Sequence, residues 1–252
     1  MYPRIGLSLT QPPLTTGLTK AWTLDDIPAS YRTNGGLWRM SAAQTSGGQI
    51  SSVPDAWGVR PMMQATSTYQ PAYETVSGYP AAVWPDASND LFLAPTASFA
   101  PVWWLIVMQF SDGKTSLWPK KSYPTLISDG ATSNATARVM GDDSSAVLLS
   151  SGVWASTASV NAAASSATVL PLPMGMVELR GSAQSAQWSL GRTNNATGRG
   201  WRGPMWMALA LGVEPKDDLL ARIQGSVAWS YGLEQKLPSS HPYRQAAPTV
   251  AA

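Results

Sequence analysis

Few side chains in this sequence are spaced for catalysis. Two carboxyl groups about 5 to 9 Å apart could hydrolyse a glycosidic bond, which on one strand face requires acids at alternate positions. The fifteen acidic residues contain no Glu-x-Asp-x-Glu pattern, and Asp142–Asp143 and Asp217–Asp218 are adjacent, so in a strand each pair would point to opposite faces. Glu178 is the one acid inside a segment that reads as an inner strand. A lone charge in a strand is normally paired or solvated, so Glu178 is expected to be salt-bridged, with Arg180 nearby, or to face the sheet edge, rather than to attack a substrate. His241 is the single histidine and no Gly-x-Ser-x-Gly elbow occurs, which leaves no basis for a histidine-rich metal cluster or a serine-based triad. In SSHPY it is expected to pack and to hydrogen-bond the C-terminal segment into place. No catalytic residue, metal or cofactor is expected.

Binding chemistry has better candidates. Indole faces stack on sugar rings and bury large areas with few rotatable bonds, and the chain carries twelve tryptophans. Trp84, Trp103, Trp104, Trp188, Trp206 and Trp229 fall in segments that read as strand or helix and are expected in the core. Trp118, Trp154 and Trp201 sit near expected loops, in SLWPKK, SGVWAS and GRGWRGP, and are the candidates for carbohydrate binding or a subunit interface. Asp86, Asn89 and Asp90 carry oxygen ligands suited to calcium, although such clusters also serve simply as turns.

The composition limits what can position these residues. Only 13% of the residues are charged and the formal net charge is +2, with no block of Lys and Arg, which argues against electrostatic binding of nucleic acid. With 252 residues, 44% of them hydrophobic, and no cysteine, the chain can bury a large core and must do so without disulfides. No run approaches the roughly 20 apolar residues of a membrane span, and the proline-containing N-terminus lacks the apolar stretch of a secretory signal. Residues 1–20, with Pro3, Pro12 and Pro13, read as an extended arm, and 244–252 as a flexible tail.

Between these ends the chain reads mostly as short strands. PVWWLIVMQF (101–110) is the most apolar segment, and its length and branched and aromatic content suit a buried central strand. Segments 123–128, 136–140, 146–150, 175–180, 185–190 and 205–211 are short and bounded by turn residues, as in a sandwich. Residues 155–169 are low in complexity and read as a surface loop or exposed strand. One convincing helix spans roughly 215–231. Pro215 and Asp217–Asp218 open it, Leu219, Ile223, Val227 and Tyr231 form its apolar stripe, Lys216, Arg222, Gln224 and Ser226 fall elsewhere, and Gly232 closes it.

Two stretches carry a family resemblance. The first comprises Asp55, Gly58, Gln64 to Thr66, Gln70, Pro71, Tyr73, Gly78, Pro80 and Val83, and the second runs from Gly203–Leu211 into SVAWSYGLEQKLPSSHPY (226–243). In these residues the chain resembles the laminin-G-like, concanavalin A-like modules of tailed-bacteriophage structural proteins. It departs from them at Trp84-Pro85-Asp86, where those modules have Phe-Asp-Gly. The resemblance implies an all-β fold over 21–243, a two-sheet antiparallel jelly-roll sandwich with one C-terminal amphipathic helix. It also implies a virion structural protein, tail- or fibre-associated or decorating the capsid. Other virion proteins and copies of itself, a trimer among the options, would then be its partners; the resemblance identifies no ligand, host-surface glycan is the candidate that the tryptophans raise, and the composition points to neither nucleic acid nor membrane. A carbohydrate-active hydrolase on the same fold is the alternative, resting on fold analogy.

Overall fold

The computed structural model describes residues 20–85, 91–110, 125–129, 138–140, 154–164, 172–192 and 200–250. Its strands are β1 (Gly36–Arg39), β2 (Gln44–Ser46), β3 (Gln49–Val53), β4 (Met62–Met63), β5 (Ala72–Val76), β6 (Tyr79–Trp84), β7 (Ala94–Pro95) and β8 (Trp103–Met108). These are followed by β9 (Thr125–Ser128), β10 (Arg138–Met140), β11 (Ala155–Val160), β12 (Ala163–Ala164), β13 (Gly175–Gly181), β14 (Ser189–Leu190) and β15 (Gly203–Leu211). A single α-helical turn, α1 (Ala29–Arg32), precedes them, and a long helix, α2 (Asp217–Ser230), follows.

The fold is mostly β. Twelve strands form one strongly curled antiparallel sheet along the path β12-β11-β13-β8-β15-β6-β5-β3-β4-β7, with β1 added to β15 and β2 to β3. A second sheet has the order β10-β9-β14. The apolar segment 101–110 contributes β8, fully buried between β13 and β15, as its unbroken hydrophobicity requires. Tight turns fix the hairpin registers. Gly47–Gly48, Ser77–Gly78 and Asn161–Ala162 all have positive φ, the backbone of two-residue turns whose twist matches the strands. Asn161 also accepts the Met176 N–H through Oδ1 at 2.9 Å, tying its turn to β13.

Alternation along the central strands creates two cores. Trp104, Ile106 and Met108 of β8 join Trp38, Phe99, Trp188 and residues of the second sheet in the larger one. Trp103, Leu105 and Val107 point the other way, to a second core shared with Ile223 and Val227 of α2. A register shift in β15 between Met205 and Met207 lets the consecutive residues Trp206 and Met207 both serve the helix-covered core.

α2 is shorter at both ends than the sequence suggests. Lys216 is its N-cap, so Pro215 lies just outside rather than in the first turn. At the other end Gly232 takes a φ of 66°, and Leu233 N–H donates to the Ala228 carbonyl at 2.7 Å, the closure of a Schellman motif. Leu233 is buried beside it. Residues 155–160 form β11, a strand with two exposed positions near the sheet's end, and the strand anticipated at 146–150 lies outside the described residues.

Residues 244–250 do not hang free as the sequence suggested. They run beside residues 20–22, where Trp22 N–H donates to Pro248 O at 3.0 Å and Val250 N–H to Lys20 O at 2.7 Å. These paired backbone groups, the Arg222 bond to Thr249 O at 2.7 Å and the packing of Val250 against the helix-covered core hold the segment in place.

Candidate functional site

The residues that carry the first family-like stretch act on backbone. Asp55 is buried, and its carboxylate accepts four amide hydrogens. Oδ1 takes Leu37 N–H and Trp57 N–H, both at 3.0 Å, and Oδ2 takes Val59 N–H at 3.2 Å and Arg60 N–H at 3.0 Å. The turn passes through Gly58 at a φ of 77°, a conformation that glycine adopts without strain. Gln64 Oε1 accepts Thr66 N–H at 3.0 Å, and Gln70 Nε2 donates to Gln64 O at 2.6 Å. These side chains organise loops and leave little capacity for a ligand.

Glu178 lies on the helix-covered side of β13, with no solvent exposure. Gln224 Nε2 donates to its Oε1 at 2.6 Å and Arg180 donates to its Oε2 at 3.2 Å, while Arg180 Nε also donates to Glu214 at 2.8 Å. The pairing with Arg180 follows from their i, i+2 spacing. Burial pushes the Glu178 carboxyl above its ordinary value, and Gln224, Arg180, Ser159 and Trp103 pull it partly back. Sealed beneath α2, this acid cannot reach a sugar.

The chain of contacts continues into SSHPY. His241 Nδ1 accepts Tyr243 N–H at 3.2 Å, which assigns the remaining ring hydrogen to Nε2, and that group donates to Gln224 Oε1 at 3.1 Å. Burial lowers the His241 pKa, as this neutral tautomer requires. Gly225 makes the docking possible: a Cβ there would lie 2.5 Å from Tyr243 Cβ. Gln224, which falls outside the apolar stripe in the sequence pattern, is therefore buried at the centre of a polar chain linking β13, α2 and the C-terminal segment. Periodicity gave no signal for it.

The tryptophan assignments change. Trp154 and Trp201 are 3% and 0% exposed, so the exposure anticipated for them from nearby loops is corrected. Trp154 stacks edge-on to Trp188 with centroids 5.1 Å apart and donates to Ser182 O, and Trp201 packs edge-on to Phe110 at 5.3 Å. Trp118 lies outside the described residues, as do Asp86, Asn89 and Asp90. Conversely Trp229, expected in the core, is 40% exposed. It lies two residues beyond Val227, about 200° round the helix and away from the sheet. A helical wheel would have found it. Among the described residues no group of three His, Cys, Asp or Glu could hold a metal ion, and no helix is long and apolar enough to cross a membrane.

Trp229 opens onto a cleft of about 540 Å³, within the size range of small-molecule sites. α2, β6 and the paired terminal segments form its walls, with Trp22, Tyr79 and Tyr231 as further aromatic lining and Asp25 and Arg39 as the charged groups. Trp229 Nε1 donates to Tyr243 O at 2.9 Å, which fixes the indole. Tyr79 and Tyr231 pack against each other with centroids 5.3 Å apart. Burial pushes the Tyr231 phenol up to about 12, so it stays neutral throughout the physiological range. Arg39 and Asp25 approach to 3.8 Å with side chains 33% and 61% exposed, a loose pair of little intrinsic strength.

Comparison with family models, with curated proteins and with solved structures finds no match for this chain.

Proposed function

We propose that the chain is a structural module of a tailed-bacteriophage particle, displayed on the virion surface at a tail, fibre or capsid-decoration position. Its fold is then a concanavalin A-like jelly roll, its partners are other virion proteins and copies of itself, with a trimer the first symmetry to test, and its role is assembly and surface recognition. The observation that carries the reading is the mutual docking of the second family-like stretch. Gly225, Gln224 and His241 seat HPY against α2, and α2 seats Ile223 and Val227 on the sheet. The first stretch supports it in the same way, since Asp55, Gly58, Gln64 and Gln70 shape loops. Residue types shared with those modules thus have architectural work to do here. The hydrolase alternative loses its main acid, because Glu178 is committed to Gln224 and Arg180 beneath the helix.

Immunogold labelling of intact particles with an antibody to the purified chain tests this reading. Regular decoration at one structural position is expected. Particles that never label, together with a chain that stays monomeric at high concentration, overturn it.

A further inference from the structure

The cleft at the exposed side of α2 has a composition that selects among ligands. Its aromatic lining provides apolar faces, and one of them, on Trp229, is both open to solvent and oriented by the bond from its indole N–H to Tyr243 O. A fixed, exposed indole can stack a flat apolar face at little entropic cost. Beside the aromatics stand one cation and one anion, Arg39 and Asp25, 3.8 Å apart and both partly exposed. They neutralise each other, so the cleft offers no net attraction to a phosphate or an ammonium group. They nevertheless supply a fork of donors and a pair of acceptors, held too loosely together to satisfy one another fully. A ligand matching this pattern is uncharged, has one apolar face, and carries hydroxyls that both donate and accept.

We propose that this cleft binds a neutral saccharide, with a pyranose ring stacked on Trp229 and ring hydroxyls hydrogen-bonded to Asp25 and Arg39. The ligand class rests on the virion-surface reading, in which a host glycan is the natural target, whereas the site rests on the cleft itself. It differs from the loop tryptophans that the sequence suggested, which are core residues or lie outside the described residues. A single hexose has few atoms to contribute and binds with a Kd of about 1 mM, with longer oligomers tighter if neighbouring rings reach Tyr79 or Trp22.

Saturation-transfer NMR on the full chain, titrated with glucose, galactose, rhamnose, N-acetylglucosamine and their linear trisaccharides, provides the test. At least one sugar should saturate. Trp229→Ala should weaken it more than tenfold, Trp229→Phe should keep it within a few-fold by retaining an aromatic face, and Asp25→Asn should weaken it several-fold with an unchanged melting curve. The proposal is overturned if none of these sugars saturates by about 100 mM, or if Trp229→Ala or Asp25→Asn binds as the parent does. Self-association that Trp229→Ala abolishes, without sugar binding, would assign the cleft to a second copy and overturn it as well. Particle labelling is unaffected by any of these results, so failure of the sugar site and failure of the virion reading are separable.

Discussion

Replacing Gln224 with leucine removes the centre of the polar chain while nearly preserving side-chain volume. The variant loses the 2.6 Å bond from Gln224 Nε2 to the Glu178 carboxylate and the 3.1 Å bond with His241 Nε2. A hydrogen bond to a charged group contributes about 1.5–3 kcal/mol and a neutral one about 0.5–1.5 kcal/mol, while the new leucine returns about 1 kcal/mol through burial. The net loss at neutral pH is therefore about 1–3.5 kcal/mol, or a fall in Tm of roughly 2–14 °C for a chain of this size. The loss depends on pH because Glu178 is involved. Its folded pKa already lies above the ordinary value, and removing Gln224, the largest of the contacts that lower it, raises it further. Protonation relieves a buried charge that has lost one of its two hydrogen-bonded partners, so the destabilisation is largest above the folded pKa and shrinks as the pH falls through it toward the unfolded value. Urea unfolding of both proteins at pH 7.5 and pH 4.5 measures this directly. A difference under about 0.5 kcal/mol at pH 7.5, or one equal at both pH values, refutes the account of Glu178 as a charge dependent on Gln224.

Asp55→Asn should cost about 2–4 kcal/mol in the same assay, because the new amide donor faces two of the four N–H groups that the carboxylate accepts. His241 has a lowered folded pKa, so its contribution is present above about 6.5 and is lost as pH falls through the folded value. Protonation places a hydrogen on Nδ1 against Tyr243 N–H, so trypsin cleavage after Arg244 should accelerate on acidification in the parent and change little in His241→Gln. Ile223→Asp places a carboxylate in the fully buried core under α2 and should abolish cooperative unfolding at 25 °C, as followed by far-UV circular dichroism.

Local chemistry in the sequence was sufficient for several features. The apolar segment 101–110, rich in aromatic and branched side chains, reads as a buried strand, and β8 within it is one. Gly232 after a four-residue apolar repeat marked the end of α2 to within a residue or so. Glu178, the lone acid in an inner strand, is expected to be salt-bridged or to face the edge, and it pairs with Arg180. Each of these depends on backbone period or on a single residue's allowed φ, which neighbours in the chain determine.

What the sequence left open depends on contacts between distant segments. Gln224 looks like a solvent-facing helix residue until Glu178, 46 positions earlier, and His241, 17 later, supply partners that make its burial favourable. Trp154 and Trp201 sit near turn residues, yet Trp188 and Phe110 complete their packing. The segment 244–250 offers no periodic apolar pattern, yet backbone pairing with Lys20 and Trp22, the Arg222 bond to Thr249 O and the packing of Val250 hold it. The cleft beside Trp229 is made where residues 21–25 and 247–248 meet α2 and β6, so no contiguous stretch of sequence encodes it. Period and propensity act over a few residues, whereas burial of a polar or aromatic group is decided by whichever segments the fold brings against it.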